Sequence, residues 1–420
     1  MHELSDLWQA VERIKRNFPW YAELSGRLQG NTAADPRWSS LPLVTSSLLE
    51  KHYYTEHQPL AQQPDVHCYK TSGTSSGRRK SICYSPADED AYVRIKLDVF
   101  RSILGDCGFR RALSDMGTGH AEATAVEVFR RLGMEVESVS FRLPIERHLE
   151  RLAAFRPEVL YTMPSILERI LLASSDPASY GIRHVILVGE IASPAWKERA
   201  AQKLGLDAER ITDTYGSIEI GTIAYYDHSL GRYVFAEGLF AEGIAAEALD
   251  GNFEPLPEEE RVLVLTSTVR EAFPAVRYVT YDVVRDLRTI DVDGVPRQSF
   301  HSVVKRIGPD LKHGEKISIY DIEDVVFRYV KQASVRVRIN GNALALHIYG
   351  PPLSAAVLAG IRHDVENRIP EIGIMIRSGI LDGIQVVGET FDDAEHRGSV
   401  KSKKIAYEDA DSINGQGGSA

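Results

Sequence analysis

A chain of 420 residues exceeds one ordinary core and reads as two or three domains, one of them large. Hydrophobic residues make up 43% and charged residues 26%, the balance of a globular protein, and a net charge of −10 excludes a chain whose main task is gripping nucleic acid or anionic membrane. No run approaches the ~18 consecutive apolar residues of a membrane span. Met1-His2-Glu3-Leu4-Ser5-Asp6 lacks the charged-then-apolar pattern of a secretory signal, so the expected location is cytoplasmic. Cys68, Cys83 and Cys107 show no metal-ligand spacing. They are expected to be reduced thiols, with Cys68 and Cys83 as small buried apolar residues.

In chain order, the first sixty residues read as helical pieces separated by prolines. Ser5 is placed to cap the first, and Leu41-Pro42-Leu43-Val44-Thr45 to lead into another as an extended segment. From residue 66 strand-like and helix-like segments alternate. Strands are expected at Ser81–Tyr84, Glu135–Ser140, Val159–Met163 and Arg183–Gly189, and helices at Asp88–Leu104, Ala121–Leu132, Ile145–Phe155, Ile166–Leu172 and Pro194–Lys203. This alternation predicts a large α/β domain with mostly parallel sheets, whose ligands sit at the carboxyl ends of strands. After residue 230 the pattern changes. Arg261–Ser267 is strand-like, and Arg306–Gly314 is a candidate hinge. A small α+β unit follows, with helices Tyr320–Tyr329 and Leu353–Arg368 and strands Ser334–Arg338, Ala343–Tyr349 and Ile372–Ile376. The expected division is 1–308, 309–408 and an Asp/Ser/Gly-rich disordered tail, 409–420.

Four segments carry chemistry. Thr71-Ser72-Gly73-Thr74-Ser75-Ser76-Gly77 packs five hydroxyls and two glycines into seven residues, and Arg78, Arg79 and Lys80 follow. Glycine lets backbone approach closely, hydroxyls and N–H groups donate, and cations offset phosphate charge, so the run suits a polyphosphate. Alone it reads equally as a flexible polar loop. In Asp213-Thr214-Tyr215-Gly216-Ser217-Ile218-Glu219, an aromatic before a glycine can stack on a flat base, and Glu219 can supply a hard oxygen to magnesium; the alternative is a turn with a surface glutamate. Val262–Asp282 ends on a carboxylate able to accept both hydroxyls of a ribose, or is a strand closing in an ordinary Asp turn. Arg397-Gly398-Ser399-Val400-Lys401-Ser402-Lys403-Lys404-Ile405 is either a solvated basic stretch or the carrier of a lysine for a reacting phosphoryl group.

In this order the four segments resemble the adenylate-forming superfamily of acyl-CoA synthetases and adenylation domains, and most the phenylacetate-CoA ligase-like subgroup. Phe18-Pro19-Trp20-Tyr21, Gly117-Thr118-Gly119-His120, Thr162-Met163-Pro164-Ser165, Gly189-Glu190, Glu271-Ala272-Phe273-Pro274-Ala275-Val276-Arg277-Tyr278 and Gly314-Glu315-Lys316-Ile317-Ser318 extend the likeness nearly end to end. The phosphate loop departs from the pattern by lacking the usual following proline, and the hinge Arg306–Lys312 is shortened.

The resemblance implies attack of a carboxylate on the α-phosphorus of ATP, then transfer of the acyl group to a nucleophile. Ser72, Gly73, Thr74, Ser75, Ser76, Gly77 and Lys80 would hold the phosphates. Gly189, Glu190, Asp213, Tyr215, Gly216 and Ser217 would lie around adenine, with Asp282 on ribose and Arg306 at the hinge. Thr74 and Glu219 would bind magnesium. His120, Tyr161, Met163 and Ser165 would line the acid pocket. The catalytic lysine would be Lys404, or Lys403, delivered by a small mobile C-terminal domain. The implied substrate is an aryl or small hydrophobic carboxylic acid. The acceptor is coenzyme A by family default, or a phosphopantetheine on an acyl carrier protein, or an amine; neither nucleic acid nor membrane is an expected partner, and the chain could act as a dimer. A P-loop kinase is a different reading, but Gly73 and Gly77 are too close and Arg78 replaces the lysine. A degenerate nucleotide-binding interaction module is the non-enzyme alternative.

Overall fold

A computed structural model describes residues 2–26, 38–55, 59–70, 80–116, 120–190, 192–251, 253, 255–307, 319–330, 333–340, 342–377, 379, 381–389 and 405–407. Its central feature is a nine-stranded sheet. The strands lie in the order Arg288–Val292, Val295–Phe300, Arg232–Phe235, Gly221–Asp227, Ile211–Ser217, His184–Leu187, Val159–Thr162, Arg111–Ser114, Glu135–Ser138. From Ile211–Ser217 to Glu135–Ser138 the neighbours are parallel, and these are the strands of the βα alternation. The remaining strands pair antiparallel. Connection length decides which: a parallel return needs a crossover helix, whereas Ser217 reaches Gly221 and Val292 reaches Val295 through tight turns. At the second turn Asp293 and Gly294 both take positive φ, 52° and 79°, as a primed hairpin turn requires.

Side chains alternate across the parallel strands, so each strand feeds two cores. Ala112, Val159, Tyr161 and Ile186 pack with helices Pro86–Leu104 and His120–Arg131 on one face. Leu113, Leu160, Val185 and Leu187 pack with Ile145–Phe155, Pro164–Ala173 and Pro194–Leu204 on the other. Helix Pro86–Leu104 starts in a complete capping box, Ser85 and Asp88 exchanging hydrogen bonds.

A second, antiparallel sheet comprises Leu239–Ile244, Glu260–Ser267, Tyr278–Arg285 and Ser302–Arg306. Leu263, Leu265 and Tyr278 bury against Val11, Ile14 and Phe18 of the N-terminal helices. The first helix, His2–Asn17, begins before Ser5, which therefore lies inside it instead of capping it. Thr45 does cap Ser46–His52, its Oγ1 accepting from the Leu48 N–H.

Residues 319–407 hold a third sheet, ordered Gly383–Glu389, Ala343–Tyr349, Ser334–Asn340, Ile405–Tyr407, under helices Ile319–Tyr329, Ala355–Arg368 and Pro370–Arg377. The strand expected at Ile372–Ile376 is a helix: Ile372 and Met375 bury together at helical spacing, and Pro370 opens its first turn. This layer touches the large sheet's helices at a small polar seam. Ser193 Oγ donates to Glu323 Oε2 at 2.7 Å, both side chains buried, and Arg199 lies over the Phe327 ring.

The cysteine reading is corrected by the hairpin His67–Lys70/Ser81–Tyr84. It places Cys68 directly opposite Cys83, and the two form a disulfide across 15 residues of sequence. The strands it ties flank residues 71–79. Cys107 is free and exposed. No helix among the described residues is long and apolar enough to cross a membrane.

Candidate active site

Two sheets meet where Ile211–Ser217 faces Tyr278–Arg285, and there three of the expected site residues converge. Tyr215 Oη donates to Asp282 Oδ2 at 2.5 Å. Arg306 is the register partner of Asp282 and lies 3.7 Å from its Oδ1. Burial, and then Asp282, pushes the Tyr215 phenol well above its usual range, and the same carboxylate holds Arg306 firmly charged. Tyr278 is raised by burial and next by the carboxylate of Glu219, which sets Glu219 in the same field.

Backbone irregularity aims these groups. Tyr281 has φ 62°, a left-handed conformation unfavourable for an aromatic residue, and its hydroxyl is held by the N–H and Oγ of Ser46. The paired strand shifts register at Val262/Val264, so the ladder is interrupted between Val279 and Val283, the stretch that holds Tyr281 and Asp282. Gly216 is required by its own hairpin. A Cβ there would stand 2.7 Å from the Gly221 carbonyl oxygen, and one on Gly221 would stand 2.9 Å from the Tyr92 ring.

The turn between Ser217 and Gly221 is clamped by residues the sequence reading did not single out. Tyr84 Oη donates to the Ile218 carbonyl at 2.6 Å, and Arg270 Nε to the Glu219 carbonyl at 2.9 Å. Arg270 is buried, lies 3.9 Å over the Tyr84 ring and pairs with buried Asp88 at 2.5 Å. The only sequence signal was a charge on either side of apolar stretches, Asp88 opening a helix and Arg270 preceding Glu271-Ala272-Phe273-Pro274. Glu219 is left with a half-buried carboxylate that makes no hydrogen bond or ion pair with any described residue. A free hard-oxygen donor of this kind suits magnesium.

The other expected residues are placed as follows. Lys80 Nζ pairs with Glu50 at 2.8 Å and lies over the Tyr54 ring. Gly189, two residues past strand His184–Leu187, takes φ 79°, and Glu190 accepts from both the N–H and Oγ of Ser165, capping helix Pro164–Ala173. Ser217 Oγ accepts from the Ile220 N–H within the turn. Tyr161 packs against Phe100 and Phe129, and Met163 is buried on the opposite face. Ser72, Gly73, Thr74, Ser75, Ser76, Gly77, Lys403 and Lys404, and the side chain of His120, lie outside the described residues.

Asp213 is buried, its Oδ2 accepting from Tyr233 Oη at 2.5 Å. Desolvation pushes its carboxyl up to about 6, against the pull of Lys197 and of the Tyr233 hydrogen bond. The native state therefore holds a proton that the unfolded chain, with an ordinary carboxyl at 3.8, has released. Stability falls as pH rises from about 4 to about 6 and is level above that window. Asp213→Asn is expected to remove this slope and to raise the urea midpoint near neutral pH. Equal wild-type-to-variant differences on both sides of the window would show that the carboxyl ionises freely.

A family model described as the fumarate–diaminopropanoate ligase C-terminal domain matches residues 312–392. A fumarate–(S)-2,3-diaminopropanoate ligase of Enterobacter agglomerans is 35% identical over 399 residues, covering 95% of this chain and 98% of the relative. A phenylacetate–coenzyme A ligase of Thermus thermophilus is 24% identical over 302 residues, 65% of this chain and 64% of the relative. In fold, the crystal structure of a 2-hydroxyisobutyryl-CoA ligase bound to an acyl-AMP superimposes with a TM-score of 0.71 at 14% identity, over 97% of this chain and 89% of that one. Enzymes of this kind use ATP and magnesium. With a relative 35% identical over 95% of its length, and with this fold, the chain belongs to the adenylate-forming ligases.

Proposed function

We propose that this enzyme activates a small carboxylic acid as its acyl-adenylate and passes the acyl group to an amine, forming an amide. The observation carrying the amine acceptor is the 35% identity, end to end, to a ligase named for joining fumarate to a diamino acid. The likeness to a coenzyme A ligase is weaker and partial. In the first step a carboxylate oxygen bonds to the α-phosphorus of ATP and the bond to pyrophosphate breaks. A carboxylate is already a nucleophile, so the protein's tasks are alignment and charge balance. Asp282, oriented by Tyr215 and Arg306, would accept the ribose hydroxyls. Glu219 and Thr74 would hold magnesium, which offsets phosphate charge when bound. Ser72 to Gly77 would grip the outer phosphates, and Lys404 would reach the α-phosphate from a mobile domain spanning 309–408. In the second step the amine nitrogen attacks the acyl carbon and the C–N bond forms, the bond from that carbon to the phosphate oxygen breaks so that AMP departs with its electron pair, and the nitrogen gives up a proton.

This reading replaces an aryl or hydrophobic acid with a small polar one, and coenzyme A with an amine. Mass spectrometry after incubation with ATP, fumarate and either 2,3-diaminopropanoate or coenzyme A tests it. The expected products are AMP, pyrophosphate and an amide. A coenzyme A thioester formed in preference to the amide would overturn the acceptor assignment while keeping adenylation.

A further inference from the structure

Helix Pro86–Leu104 presents Tyr92, Lys96 and Phe100 on one stripe, four residues apart each time. The Lys96 ammonium is buried, with only 2% of the residue exposed. It sits 5.7 Å from the Tyr92 ring, 5.6 Å from Phe100 and 4.7 Å from Tyr161. Aromatic faces attract a cation but accept no strong hydrogen bond, and Nζ has no hydrogen-bond partner among the described residues. Burial pulls its pKa down to about 7, and no carboxylate among the described residues raises it. An ammonium enclosed in this way lacks the anion that ordinarily makes burial tolerable.

Its surroundings say which molecule could bring that anion. Tyr161 lies near the carboxyl end of strand Val159–Thr162, the end at which open parallel sheets bind ligands. Tyr92 packs against Gly221, which pairs with Ser217 in the hairpin carrying Tyr215 and Glu219. The cation thus lies between the strand expected to line the acid pocket and the hairpin at the nucleotide. The acid's reacting carboxylate must face the α-phosphorus, so an anion at Lys96 has to be a second one.

We propose that Lys96 is the specificity determinant for a dicarboxylate substrate, its ammonium pairing with the carboxylate that is not adenylated. This rests on the adenylation reading above. A dicarboxylate would supply the missing counter-ion, whereas a monocarboxylate would leave the cation buried beside an apolar chain end. The aromatic walls would align a short planar acid without competing for the charge.

The test is ATP–pyrophosphate exchange with fumarate and with crotonate, in which a methyl group replaces the second carboxylate. Wild type should favour fumarate. Lys96→Met keeps the length and apolar stem. It should raise the KM for fumarate at least ~100-fold, the order seen when one partner of a buried charge pair is removed. Crotonate exchange should be retained or improved, and the KM for ATP unchanged. The fumarate-to-crotonate ratio is the deciding number. A ratio unchanged by the substitution, whether both activities survive or both fall, overturns the proposal, because a packing role would affect the two acids alike. A wild type that prefers crotonate also overturns it and leaves adenylation standing. Exchange with neither these nor any other acid overturns the adenylation reading and this proposal with it.

Discussion

Replacing Lys404 with alanine is expected to lower acid-dependent ATP–pyrophosphate exchange by roughly 10²- to 10³-fold, the range for removing one preorganised donor from a developing charge. The reasoning rests on chemistry and sequence. Adenylation brings a carboxylate onto an already anionic α-phosphate, and negative charge accumulates at the reacting phosphorus. Asp282 and Glu219 are both anionic, and Arg306 is engaged with Asp282, so the converging residues supply no spare cation for that charge. Lys403 and Lys404 immediately precede strand Ile405–Tyr407, which adds in parallel beside Ser334–Asn340. Charge stabilisation confined to the transition state should appear in kcat, with the KM for ATP nearly unchanged. Lys403→Ala serves as the companion measurement. Full exchange in Lys404→Ala with loss in Lys403→Ala would move the catalytic role by one residue, and full exchange in both would remove it from this segment.

The second large effect is expected at Asp88. Its carboxylate, buried in the capping box of helix Pro86–Leu104, accepts from the N–H groups of Glu271 and Ala272 at 2.7 and 3.0 Å and faces the Arg270 guanidinium. Asp88→Ala strands a buried charge and two backbone donors together. Breaking a buried pair from one side costs about 3–5 kcal/mol, so the urea midpoint should fall steeply. Function should suffer as well, because the same guanidinium holds the Glu219 carbonyl and the Cys83 carbonyl. Freed from Asp88, it no longer fixes the turn that presents Glu219, and the KM for ATP should rise. Asp88→Asn keeps one of the two acceptor oxygens and leaves no buried charge unpaired on its own side, so it should be milder than alanine. The paired replacement Asp88→Leu with Arg270→Met should recover part of the stability but none of the ATP affinity. A double variant no more stable than the single one would show that the pair is not the source of the loss.

Much of the parallel half of the large sheet was legible beforehand. Helix Ile145–Phe155 and strand Val159–Thr162 announce themselves by period and by flanking prolines, and each period reflects which face is buried. Tyr215, Glu219 and Asp282 could be named because an aromatic and two carboxylates each suit one part of a nucleotide, although Asp282, read as closing its strand, lies inside one that continues to Arg285. Short apolar runs were less readable. Ile372 to Ile376 satisfies a two-residue and a four-residue repeat equally, and only its packing under the third sheet made it a helix.

The sequence by itself determined the class of chemistry and the order of its parts, since residue types and their order survive without coordinates. Tertiary structure alone decided the pairings: Cys68 with Cys83, Asp88 with Arg270, Asp282 with Tyr215 and Arg306, and Lys96 with the Tyr161 ring. Each joins elements whose separation along the chain carries no record of the contact. The energy of a buried charge depends on its neighbours in space, and these exist only after the sheets have closed.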